Sequence, residues 1–174
     1  MQTLYSVTQF FNSVCLAHPN ITTFTVGDLY DIDQAKTTLY PLAHLMIENT
    51  VMGTGARMTY NCNLIVMDRI TDITQTSTGV FNQLLKNYKG ITNRLDVWNT
   101  SQSTVSDIMI YIMNNAQSYQ YNILNDVSIT LFQEKYDNAL GGATATFSME
   151  VPYNPSNCLI KISDVQAIGG VDPC

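Results

Sequence analysis

The sequence predicts an α+β fold: an antiparallel β-sheet of about four main strands with two helices packed on one face. Three observations point there. Two stretches repeat apolar residues at spacings of three and four, and four stretches alternate with a period of two, the first of them loosely. They follow one another as helix, hairpin, helix, hairpin, the order of a sheet covered by helices on one side.

The first helix is expected over residues 4–18. Leu4, Val7, Phe11 and Val14 make one apolar stripe, with Phe10 and Ala17 beside it. His18-Pro19-Asn20 ends it, because a residue before proline is pushed out of the helical region. His18 then sits at a helix C-terminus, a place that favours a cation. Residues 21–33 read as irregular or short extended chain around Gly27. Asp28, Asp31 and Asp33 cluster there without the glycine and terminal glutamate of a calcium loop, so they read as a solvated acidic loop.

A strand is expected over residues 39–51, with Pro41 early, where a missing donor is tolerated. Ala43, Leu45 and Ile47 alternate with Leu42, His44 and Met46, so both faces are covered, and His44 reads as a satisfied core or edge histidine. Met52-Gly53-Thr54-Gly55 turns the chain into residues 58–67, the clearest alternation in the protein. Cys15 and Cys62 fall on apolar faces, where a thiol acts as a small core residue. No pair of cysteines forms C-x-x-C, and neither His18 nor His44 lies at ligand spacing from them.

Residues 70–96 form a long excursion in which Phe81, Leu84, Leu85 and Tyr88 supply one or two helical turns. The second helix carries Val105, Ile108, Met109, Ile112, Met113 and Ala116 on one face. Trp98 anchors its entry, and Asp96, Thr100 or Ser101 caps it. Asp107 points off this stripe and reads as solvated or locally bonded. Two strands, 127–134 and 144–151, flank a turn signalled by Asp137-Asn138 and Gly141-Gly142. The expected organisation is one domain over residues 1–151 and an extended C-terminal arm over 152–174, punctuated by Pro152, Pro155, Gly169, Gly170 and Pro173.

Composition limits the partners. The 174 residues carry a net charge of −6, and only 13% are charged. Thr occurs 20 times and Asn 16 times against 8 Lys plus Arg, so the polar surface is built from uncharged groups. Too few cations exist to neutralise a run of phosphates or to dock on anionic lipid. The N-terminal residues lack the basic and apolar regions of a secretory signal, and the longest apolar runs fall far below the ~20 residues of a membrane span. No phosphate loop, dinucleotide loop or nucleophile elbow occurs. The expectation is a protein without enzymatic activity: no catalytic residue, no cofactor, no metal site and no membrane partner.

Tyrosine is frequent, and it is favoured where protein meets protein. Tyr119, Tyr121, Tyr136 and Tyr153 stand in polar, loop-like surroundings, and together with Pro155 and Val171 of the arm they are the candidate subunit-interface residues. Two other readings compete. One is a small-ligand-binding or enzymatic domain centred on His44 or the Asp28–Asp33 loop. The other is a pilus or adhesin-like surface subunit, which requires a disulfide.

Several runs also resemble a known family. They are Asp96-Val97-Trp98-Asn99-Thr100, Ser106-Asp107-Ile108-Met109-Ile110-Tyr111-Ile112, and the stretch from Thr130 through Gly141-Gly142 to the Pro-Tyr-Asn-Pro-Ser-Asn-Cys segment ending at Cys158. With Val66-Met67-Asp68, they are similar to tail-terminator-like proteins of crAss-like, Bacteroidetes-infecting tailed phages. The resemblance implies a tail-terminator-like fold and a virion protein of the neck or tail, assembled in the bacterial host cytoplasm. It further implies a homo-oligomeric ring, twelve-fold or six-fold, stacked against neighbouring ring or portal proteins around passing DNA.

Overall fold

Five strands build one sheet in the order β1-β2-β3-β5-β4 in a computed structural model that describes residues 4–28, 40–53, 56–70, 93–134 and 140–153. Helix α1 (Leu4–Ala17) precedes β1 (Thr23–Val26), β2 (Leu42–Gly53) and β3 (Arg57–Arg69). Helix α2 (Arg94–Tyr119), β4 (Asn122–Glu134) and β5 (Leu140–Pro152) complete the fold. The α+β class holds. Among the described residues the sheet is mixed, with five strands, rather than antiparallel with four, because β1 joins the edge of β2 in parallel, from Thr23 opposite Leu42 to Val26 opposite Leu45.

The alternation expected over residues 58–67 falls in β3, which lies in the middle of the sheet, paired along its length to β2 and to β5. Its even residues Tyr60, Cys62, Leu64 and Val66 face the helices. There they meet Ala43 and Leu45 of β2, and Ala145, Phe147, Met149 and Val151 of β5. Val7, Phe11 and Cys15 of α1 and Val105, Ile108, Met109 and Ile112 of α2 close this core from above, so both helices pack on the same face. Fully burying each such aliphatic stabilises the fold by roughly 1.5–3 kcal/mol before ordering entropy is charged.

The opposite face has a smaller cluster of Leu42, Ile65 and Met67, backed by Tyr40, Phe132 and Leu140. Beyond it the face turns polar. Thr146 Oγ1 donates to Asn63 Oδ1 at 2.7 Å, and Asn63 Nδ2 donates to Glu48 Oε1 at 2.7 Å. One row along, Ser148 donates to Asn61, which donates to Asn49, and Arg57 pairs with Glu150. The Thr and Asn content of the chain is spent in part on this cross-strand ladder, in which amides and hydroxyls satisfy one another.

Two irregularities interrupt the ladders. Ile47 pairs with Cys62 and Asn49 with Asn61, leaving Glu48 as the extra residue of a β-bulge. A second shift separates Leu124 opposite Ser148 from Ser128 opposite Thr146.

Several expectations change in detail. Pro41 precedes β2 instead of lying in it, and β4 and β5 begin earlier than their alternation signals. Gly141 and Gly142 belong to β5 rather than to a turn. A Cβ on Gly142 would lie 2.0 Å from Val66 O and 2.9 Å from Met67 Cα, so β3 comes too close for any side chain there. Helix α2 starts at Arg94, so Asp96 lies in its first turn and Thr100 and Ser101 lie inside it rather than capping it. The Val97 N–H bonds Asn93 O at 3.0 Å, and the Asn93 side chain donates to Arg69 O at 3.2 Å. Leu4 and Met113, expected on buried stripes, are about half exposed. The excursion residues Phe81, Leu84, Leu85 and Tyr88 and the arm beyond Tyr153 lie outside the described residues.

Candidate functional site

His44 is buried at 1% exposure on the face away from the helices. Its Nε2 lies 3.1 Å from Gly27 O, which only accepts, so Nε2 donates and carries the proton. Nδ1 then accepts the Thr25 hydroxyl at 2.8 Å. Both nitrogens are spent on holding β1 to β2. The ring is the satisfied histidine that the sequence suggests, with no nitrogen left over for a substrate.

His18 follows the last turn of α1 and is tied similarly. The Asn20 N–H donates to its Nδ1 at 3.2 Å, and its Nε2 faces Asp107 Oδ2 at 3.6 Å. Asp107 is an exposed, locally paired carboxylate. Asn20 Nδ2 also reaches Thr104 Oγ1 at 3.2 Å, so the loop after α1 is anchored to α2 at two points.

Between those anchors and Tyr121, residues of the two helices line a cleft of about 810 Å³. Phe10, Val14, Ala17, Ile108, Tyr111 and Tyr121 give it an apolar lining; Ser6, Gln9, Ser13, His18 and Asp107 give it a polar rim. The Phe10 and Tyr121 rings stand edge to face with centroids 4.8 Å apart. Ser13 Oγ donates to Gln9 O at 3.0 Å. That hydroxyl and both nitrogens of His18 are occupied within the chain.

The surface around the cleft is unusual in its charge. Helix α1 has no charged residue, and α2 has only Arg94, Asp96 and Asp107. Large apolar side chains stand exposed on this layer, among them Tyr5 (71%), Leu16, Ile110 (55%), Tyr111 and Met113. Few charges together with exposed aromatics and methionine are the composition of an interface.

The predicted interface residues divide. Tyr121 is buried, at 7% exposure, and forms part of the core. Gln120 takes a left-handed turn (φ 59°) after α2 and swings the Tyr121 ring onto Phe10. Burial pushes its phenol up, against a smaller opposing effect of a hydrogen bond with Ser6. Tyr119 ends α2, and Tyr153 is half-buried beside β5, with its N–H on Ala56 O at 2.7 Å. Tyr136, Pro155 and Val171 lie outside the described residues, as do Asp31 and Asp33; Asp28 is exposed.

Cys15 and Cys62 are free and buried, and burial pushes both thiols up to about 12. Among the described residues no three of His, Cys, Asp and Glu gather to hold a metal ion, and no helix is long and apolar enough to cross a membrane. Sequence reasoning missed the cleft, whose one trace in the sequence is the uncharged run of residues 4–17. No protein-family model matches the chain, and no curated protein matches it either.

Proposed function

We propose that this chain is a non-enzymatic structural protein of a tailed-phage virion that assembles into a ring in the neck or tail. There it serves head–tail connection, tail completion or the DNA channel. The observation that carries the reading is the helical layer, with exposed Tyr5, Leu16, Ile110, Tyr111 and Met113 and almost no charge. A monomer gains nothing from such a surface, whereas a subunit covers it. The sequence resemblance to tail-terminator-like proteins supports the same reading, as does the acidic balance of −6, which lets DNA pass a lumen without adhering.

Native mass spectrometry and negative-stain microscopy of the purified chain, beside intact virions, test this. Closed rings of six or twelve copies that match a virion ring support it. A strictly monomeric chain, or strong duplex binding by the assembled ring at physiological salt, overturns it. The cleft volume of about 810 Å³ falls in the range of small-molecule sites and favours, as a second reading, a ligand-binding domain.

A further inference from the structure

We infer that His18 is a proton-operated switch, which holds the turn after α1 when neutral and holds helix α2 when charged. The inference is independent of the ring reading above.

A donor fixes the neutral arrangement. The Asn20 backbone N–H lies 3.2 Å from His18 Nδ1, and a backbone N–H only donates, so Nδ1 presents a lone pair. The proton of the neutral ring is therefore on Nε2, which faces Asp107 Oδ2 at 3.6 Å. That is a loose contact, longer than a hydrogen bond. The neutral ring serves the turn first and α2 second.

A second proton reverses this order. It binds Nδ1, where it meets the Asn20 N–H donor to donor, and that bond is lost. The ring then carries a positive charge beside a carboxylate, and a charge-assisted bond to Asp107 closes to about 2.8 Å. The C-terminal end of α1, which His18 follows, favours the same charge. The Asn20 bond opposes it, so the ring answers to pH instead of being pinned in one form. Asn20 Nδ2 stays on Thr104 Oγ1 at 3.2 Å, so acid frees the backbone of the turn without detaching the loop from α2.

The titratable neighbours leave this interval to the imidazole. Helix α1 has no charged residue, and on α2 Arg94 and Asp96 lie at the opposite end from Asp107. Strand β1 and residues 19–22 carry no charge. The Cys15 thiol, one turn back, is pushed up to about 12 by burial. Tyr111 and Tyr121 line the same cleft as phenols, which ordinarily titrate near about pH 10, and burial pushes Tyr121 higher. Between pH 5 and 8 an imidazole changes charge.

Nuclear magnetic resonance of the full chain from pH 8 to pH 5 tests the switch. As the His18 ring charges, its Nδ1 signal is expected to change from acceptor to protonated nitrogen, and the Asn20 amide signal to move with it. Exchange of that amide, corrected for pH, becomes about tenfold faster relative to the amides of α2. His18→Phe abolishes the Asn20 transition and separates it from any effect of His44, the chain's other histidine. Asp107→Asn, an isosteric change at an exposed side chain, keeps the neutral-pH Asn20 signal further into acid, because the carboxylate that favours the charged ring is gone. An Asn20 amide that stays unchanged while His18 charges overturns the inference, and so does an Asp107→Asn profile identical to the wild type.

Discussion

Thr25 and His44 are joined by a 2.8 Å hydrogen bond from the threonine hydroxyl to Nδ1, and it locks the four-residue strand β1 onto the sheet. Replacing His44 with Leu removes the acceptor for Thr25 and the donor for Gly27 O together. The expected cost is about 1–3 kcal/mol in chemical denaturation, with β1 amides exchanging faster than those of β3. Unchanged exchange in β1 would show that β1 is held by other means.

Gly142 faces a harder limit. Its missing Cβ leaves room for the backbone of Val66 and Met67, so Gly142→Ala must push β5 off β3. A loss of about 3 kcal/mol or more is expected. Gly141→Ala meets the Ile70 Cδ1 atom at 2.6 Å, the movable end of a side chain, and costs less. Thermal melts of the two variants rank them.

Cys15 and Cys62 give the fold an alkaline limit. Both thiols are raised from 9.0 to about 12 in the folded chain, chiefly by burial, with Glu48 adding to the effect at Cys62. Above pH 9 the unfolded chain releases these protons while the folded chain keeps them. Stability is therefore full below pH 9 and falls as the pH rises towards 12. Denaturation curves taken across this interval, together with thiol labelling that reaches both cysteines only on unfolding, check it. Cys15→Ala with Cys62→Ala should flatten the slope.

Ile108 and Ile110 stand two residues apart on α2 and make opposite predictions. Ile108 is 2% exposed in the core, and Ile108→Asp buries an unpaired carboxylate, which is expected to unfold the chain. Ile110 is 55% exposed, and Ile110→Asp should leave monomer stability within about 0.5 kcal/mol. Circular dichroism of the purified variants distinguishes them.

The sequence makes legible those elements whose burial follows one period. Residues 58–63 alternate because β3 has a strand on either side and helices over one face, and the pattern gives way to a continuous apolar run at 64–67, where Ile65 and Met67 are buried in the second cluster. The start of α2 is hidden because its buried positions there include Ser101 and Thr104, polar residues that hydropathy scores as surface. Strand β1 is hidden because Thr-Phe-Thr-Val is too short to show a period and its partner lies 19 residues away, from Thr23 to Leu42. Tyr121 reads as a loop residue between Gln120 and Asn122, yet packing against Phe10, 111 residues earlier in the chain, buries it. The cleft is a meeting of two helices distant in the chain, and no local pattern announces such a meeting.

The bulge at Glu48 bears on how this protein avoids uncontrolled polymerisation. Strand β1 covers β2 only from Leu42 to Leu45, so the outer rim of β2 beyond it, like that of β4 on the far side, has no strand partner among the described residues. A straight bare rim invites another chain to zip on, the first step towards fibres. Each rim here is broken by a register shift, at Glu48 in one and between Leu124 and Ser128 in the other. Neither offers a long flat template, and self-recognition is left to side chains that can be selective about their fit.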